Sequence, residues 1–134
     1  LFCFGHGLSY TKFEYNDLKL SAAVKEYDIE IKLSLRVTNT GTRGGAEVVQ
    51  LYIRDMQASV DRPEIELKGF NKLCLEAGES KTVEFSINRK ALSFYNVKEG
   101  NWRAEEGEFE ALVGSSSEDI RLRGKFALDR NINF

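Results

Sequence analysis

Ile29, Ile31, Leu33, Leu35 and Val37 alternate without a break with Glu30, Lys32, Ser34, Arg36 and Thr38. A period of two held over this run puts every apolar side chain on one face of an extended strand and every polar one on the other, which 3.6-residue helical periodicity cannot do. Such a strand is half-buried and needs a second layer to cover its apolar face. Asn39-Thr40-Gly41 and Gly44-Gly45 follow as turn residues that tolerate positive φ, and Val49, Leu51 and Ile53 then resume the alternation against Gln50, Tyr52 and Arg54. The simplest reading joins the two runs in a hairpin with a loop of several residues.

The same signal recurs downstream, in Ile65 and Leu67 ahead of Gly69, in Val83, Phe85 and Ile87, in Phe109, Ala111 and Val113, and in Ile120, Leu122 and Phe126. Glu76-Ala77-Gly78-Glu79, Lys98-Glu99-Gly100-Asn101 and Gly114-Ser115-Ser116-Ser117 read as turns between them. With a first strand beginning at Phe13 and interrupted by a bulge or kink at Asn16-Asp17, the pattern predicts an all-β sandwich of seven to eight short antiparallel strands. Within 89–95, Leu92 and Tyr95 stand at helical spacing and predict one helical turn bridging the two sheets.

A chain of 134 residues, 42% hydrophobic and 30% charged with a single proline, can bury such a core as one domain without a staple. The net charge of −2, with signs interspersed, supplies no basic stripe for a phosphate backbone, so nucleic acid is not an expected partner. The apolar opening is too short and too broken by Gly5 and Gly7 for a membrane span or a signal sequence, and no membrane partner is expected. The chain begins at Leu1 and reads as a piece of something longer, so no compartment is assigned. Cys3 and Cys74 could pair across a long loop, but their spacing fits neither a disulfide framework nor a zinc site, and free thiols are the expected state.

Chemistry is sparse. His6 and Ser9 are neighbours, but there is one histidine and no G-x-S-x-G elbow, so a packing or surface histidine is the better reading. The carboxylate pairs Glu64/Glu66, Glu105/Glu106, Glu108/Glu110 and Glu118/Asp119 read as solvated sheet faces rather than the opposed acid and nucleophile of a glycosidase. No catalytic residue, metal ligand or cofactor is expected. Trp102, Tyr52, Tyr95 and Phe70 could form an aromatic platform for sugar rings, with packing the commoner use of such side chains.

The opening Phe4-Gly5-His6-Gly7-Leu8-Ser9-Tyr10-Thr11-Lys12-Phe13 resembles the signature that begins the C-terminal fibronectin type III-like domain of family 3 glycoside hydrolases, the β-glucosidases and their relatives. Val37-Thr38-Asn39-Thr40-Gly41, Glu47-Val48-Val49-Gln50-Leu51-Tyr52, Arg62-Pro63, Glu66-Leu67-Lys68-Gly69-Phe70 and Leu92-Ser93-Phe94-Tyr95 follow in the order of that family. Cys3 stands where the family most often has proline.

The resemblance implies a fibronectin type III/immunoglobulin-like sandwich over 13–128, a lead-in from a preceding α/β sandwich domain over 1–12, and a C-terminal tail over 129–134. It further implies a non-catalytic domain of a retaining β-glucosidase that cleaves terminal β-linked glucose, since the Ser-Asp-Trp nucleophile motif of the family's barrel is absent here. The implied partners are the enzyme's own catalytic domains, met through Phe4, Leu8, Tyr10 and Phe13. The alternative is a carbohydrate-binding module contacting β-glucan or an oligosaccharide, with Trp102, Gln57 and Arg62 as the contacts.

Overall fold

A computed structural model of the chain describes residues 11–25, 28–56, 65–88, 92, 94–96, 100–104, 107–128 and 132–133. Ten strands run in chain order: β1 (Phe13–Lys25), β2 (Asp28–Asn39), β3 (Gly45–Asp55), β4 (Glu66–Leu75), β5 (Ser80–Asn88), β6 (Phe94–Asn96), β7 (Asn101–Ala104), β8 (Gly107–Ser116), β9 (Asp119–Leu128) and β10 (Ile132–Asn133). Seven of them make the two layers of a sandwich, β1-β2-β5 against β4-β3-β8-β9, and the short β10-β7-β6 forms a third small sheet. All the pairings are antiparallel. The expected sandwich of seven to eight strands is what forms.

The alternation in β2 does what its period requires. Ile31, Leu33, Leu35 and Val37 are at most 1% exposed and meet Val49, Leu51, Ile53, Phe109, Ala111 and Val113 from the opposite layer. Burial of side chains of this size contributes about 1.5–3 kcal/mol each, and this inter-sheet layer is what holds the two sheets together. The bulge expected at Asn16-Asp17 is present: the β1/β2 register shifts between Asn16 and Lys19, and Asp17 takes φ 57°. Gly124 closes one side of the sandwich, because a Cβ there would lie 2.6 Å from Leu20 Cδ1, and its absence lets the β1 leucines settle over β9.

The hairpin and the free thiols need correction, and other expectations are met in part or fall partly outside the described residues. β2 and β3 are not a hairpin: β2 pairs with β1 and β5, β3 pairs with β4 and β8, and residues 40–44 arch from one layer to the other. Alternation shows that a strand has one buried face, not which neighbour shares its sheet. The tolerance of Gly41 and Gly44 for positive φ is not drawn upon; among the described residues the glycines with positive φ are Gly78, Gly100 and Gly107. Of the expected helical turn, residues 89–91 and 93 lie outside the described residues, Leu92 is fully buried, and Tyr95 sits in the extended β6. Cys74 is not a free thiol but disulfide-bonded, and the sequence holds one other cysteine, Cys3, which lies outside the described residues. A long separation is a weak barrier to such a bond, since loop-closure entropy grows only with the logarithm of loop length.

Candidate functional site

The end of the sandwich where β1 begins is organised by Asn39, the last residue of β2 and wholly buried. Its Nδ2 donates to the carbonyls of Arg43 (2.8 Å) and Leu75 (3.0 Å), and its Oδ1 accepts from Thr11 Oγ1 (2.7 Å) and the Gly41 amide (2.9 Å). Its backbone N–H donates to Glu79 O (2.9 Å) and its carbonyl accepts from the Gly78 amide (2.8 Å). A buried carboxamide offers two donors and an acceptor with two lone pairs, and here all are used. One side chain thereby joins the start of β1, the inter-sheet arch and the end of β4. Gly41 is required by space: a Cβ there would fall 1.9 Å from Thr11 Oγ1, the atom that bonds Asn39.

Beside this clasp a cleft of about 590 Å³ is lined by Thr11, Lys12, Phe13, Tyr15, Glu47 and Arg121. The Tyr15 hydroxyl donates to Glu47 Oε2 (3.2 Å), and the Arg121 guanidinium lies 4.8 Å from the Tyr15 ring centroid. Arg121 Nη1 donates to the Phe13 carbonyl (2.6 Å) and stands 3.9 Å from Glu47, while Nη2 and Nε donate to Asp119 at 2.8 and 3.2 Å. Burial, reinforced by the Glu47 charge, pushes the Tyr15 phenol well above its ordinary value. Burial likewise raises Glu47, against the opposing pull of the Tyr15 hydrogen bond and the Arg121 charge. Hydrogen bonds from Arg121 and Ser115 hold Asp119 below the usual carboxylate range, and the Asp119 bond in turn raises Arg121. The arrangement ties three strands together at the point where the chain enters the sandwich. No spacing rule could have found it, because its members come from β1, β3 and β9.

The carboxylates read as solvated are not all so. Glu110 is 8% exposed, with Oε1 3.5 Å from Arg54 Nη1 and 3.8 Å from Arg123 Nη1. It lies on the outer face of its sheet, yet the long cations of the neighbouring strands cover it, which alternation along β8 alone does not reveal. Glu66 forms an ion pair with Lys68 at 3.0 Å. Among the described residues no group of three or more His, Cys, Asp or Glu side chains could hold a metal ion.

Of the expected interface residues, Phe13 opens β1 and packs half-buried against the core, while Phe4, Leu8 and Tyr10 lie outside the described residues. Of the expected sugar contacts, Trp102 pairs with Tyr95 between β7 and β6, and Gln57 and Arg62 lie outside the described residues.

The profile of the fibronectin type III-like domain matches residues 47–117. The chain belongs to that family. As such a domain it is 49% identical over 123 residues to the thermostable beta-glucosidase B of Acetivibrio thermocellus, a match that takes in 92% of this chain and 16% of that protein. The crystal structure of a beta-glucosidase from Kluyveromyces marxianus in complex with glucose superposes with a TM-score of 0.84 at 41% identity, over 98% of this chain and 16% of that one. Beta-glucosidase 3B from Thermotoga neapolitana gives a TM-score of 0.83 at 41% identity, over 98% and 18%. The fibronectin type III-like domain thus spans about a sixth of the length of the curated relatives it matches, most of which are named as beta-glucosidases.

Proposed function

We propose that this chain is the non-catalytic C-terminal domain of a β-glucosidase that releases terminal β-linked glucose with retention, and that it stabilises the enzyme's catalytic domains through an interdomain interface. The observation that carries the reading is the asymmetry of the matches: nearly all of this chain aligns with a sixth of proteins named as beta-glucosidases. In this reading residues 13–128 are the body of the domain, 1–12 the lead-in and 129–134 the tail, and Phe4, Leu8, Tyr10 and Phe13 reach into the interface. The clasp at Asn39 and the Tyr15–Glu47–Arg121 cluster support it, because both brace the end of the sandwich from which the lead-in departs.

The test is made in the full-length enzyme. Alanine at Phe4, Leu8, Tyr10 and Phe13 lowers its melting temperature or its turnover of an aryl β-glucoside, while the same chain expressed alone keeps a dispersed amide spectrum. Unchanged melting and turnover would refute the interface. An amide titration of the chain with cellobiose and a longer β-glucan oligosaccharide checks the other role: localised saturable shifts around Trp102, Gln57 or Arg62 would make it a carbohydrate-binding module instead.

A further inference from the structure

β4 is an edge strand of its sheet among the described residues, and it carries two large exposed apolar side chains, Phe70 at 70% and Leu67 at 52%. Three positions apart, they would point to opposite faces of a regular strand. A register shift between Leu51 and Tyr52 cancels that parity. Phe70 lies opposite Gln50 and Leu67 opposite Tyr52, with Lys68 as the extra residue. Gln50 and Tyr52 share the face opposite the core-facing Leu51 and Ile53, so the bulge places Leu67 and Phe70 side by side on the outer surface.

The neighbouring strand continues the same row, because Tyr52 pairs with Leu112, which is 1% exposed yet stands outside the central core cluster. An apolar row of exposed Phe70 and Leu67 and half-buried Tyr52 therefore lies on the outside of the sheet and ends at Leu112, which is already covered. Lys72, two positions beyond Phe70 on the same face, is exposed and gives the row a polar margin, the anatomy of an interface with an apolar centre.

We infer that this bulge-built row is a docking surface for the catalytic part of the same polypeptide, an inference that rests on the proposed function. Two observations select that occupant. The relatives carry this domain attached to roughly five times its own length of chain, as the 16% coverage requires, so a tethered partner is present at high effective concentration wherever the domain is. The polar groups beside the row are turned to the protein's own bonds: the Gln50 amide donates to Ser115 O at 3.1 Å, and its oxygen accepts from the Tyr52 hydroxyl. The most exposed side chains of the row, Phe70 and Leu67, are apolar, which suits a protein face better than a hydroxylated ring.

Hydroxyl-radical footprinting read by mass spectrometry compares Leu67 and Phe70 in the 134-residue chain alone and in the full-length enzyme, each over a range of concentrations. Phe70 labelling falls about tenfold in the full-length enzyme, as expected for a side chain moved from an open surface into an interface core, and does so independently of concentration. In parallel, L67S with F70S leaves the melting of the isolated chain unchanged and lowers that of the full-length enzyme. Equal labelling in both proteins, with β-glucoside hydrolysis intact, overturns the docking surface and leaves the proposed function standing. A full-length protein that does not hydrolyse β-glucosides overturns the proposed function itself. Protection that grows with concentration in the isolated chain points to a second copy, and protection seen only with cellobiose points to sugar; either outcome overturns the inference.

Discussion

Asn39 shows how much a single residue can hold together. Removing its side chain leaves the carbonyls of Arg43 and Leu75 and the hydroxyl of Thr11 without their partner at a fully buried position. An orphaned buried polar group costs about 1–3 kcal/mol, so Asn39→Ala is expected to destabilise the chain by roughly 3–5 kcal/mol in urea titrations. Asn39→Asp should fail almost as badly, since an ionised carboxylate cannot donate to either carbonyl. In the sequence Asn39-Thr40-Gly41 is legible as a turn, but the bond from Asn39 to Leu75 spans 36 positions, beyond any local rule. Tyr15 gives a prediction in pH. Its folded value lies above the unfolded 10.0, so above about pH 10 the unfolded chain releases a proton that the folded chain retains, and stability falls as pH rises. Tyr15→Phe is expected to flatten that alkaline decline in urea midpoints measured from neutral pH to about pH 11, while costing only about 0.5–1.5 kcal/mol at neutrality.

At the scale of elements, the close fit of β1 over β9 depends on Gly124. Gly124→Val would drive its side chain against Leu20 Cδ1 and Leu18 Cδ2, both half-buried against the core, and overpacking of this kind costs about 1–3 kcal/mol. Leu20→Ala should recover part of that loss, and a double-mutant cycle by thermal melting would show favourable coupling between the two changes; strict additivity would mean that β1 relieves the clash by moving as a whole. The strands themselves were legible because Ile31 through Val37 and Val49 through Ile53 face a dry core on one side, and period two is a local property of the chain. Their partnership was not. Whether 40–44 turns back within a sheet or arches between sheets depends on where Asn39 finds acceptors, at Arg43 close by and at Leu75 on a strand of the other layer. The same holds for β8, where Phe109, Ala111 and Val113 announce the inner face while Glu110 is covered on the outer one by Arg54 and Arg123 from other strands, and Leu112 is buried there as well. A sequence read one strand at a time sees the first kind of burial and misses the second.

At the scale of the whole molecule, the disulfide at Cys74 ties β4 to a second, distant position in the chain. Cys74 pairs with Ala46 across β4 and β3, at the end of the sandwich that Asn39 clasps, where Leu75 and Gly45 adjoin it. The sequence offers Cys3 as the one other cysteine, about seventy positions earlier. Closing a loop of that length removes conformational entropy from the unfolded chain, with a stabilisation of about 4 kcal/mol when the native geometry is unstrained. In a domain of this size that corresponds to a melting shift of roughly 10–20 °C. A reductant should therefore lower the melting temperature of the wild-type chain by that order, and Cys74→Ser should show the same loss and no further response to reductant. If reduction leaves melting unchanged while Cys74→Ser lowers it, the effect belongs to packing at the outer face of β4 rather than to the cross-link. Matching losses would mean that the cross-link at Cys74, and not packing alone, secures this end of the sandwich.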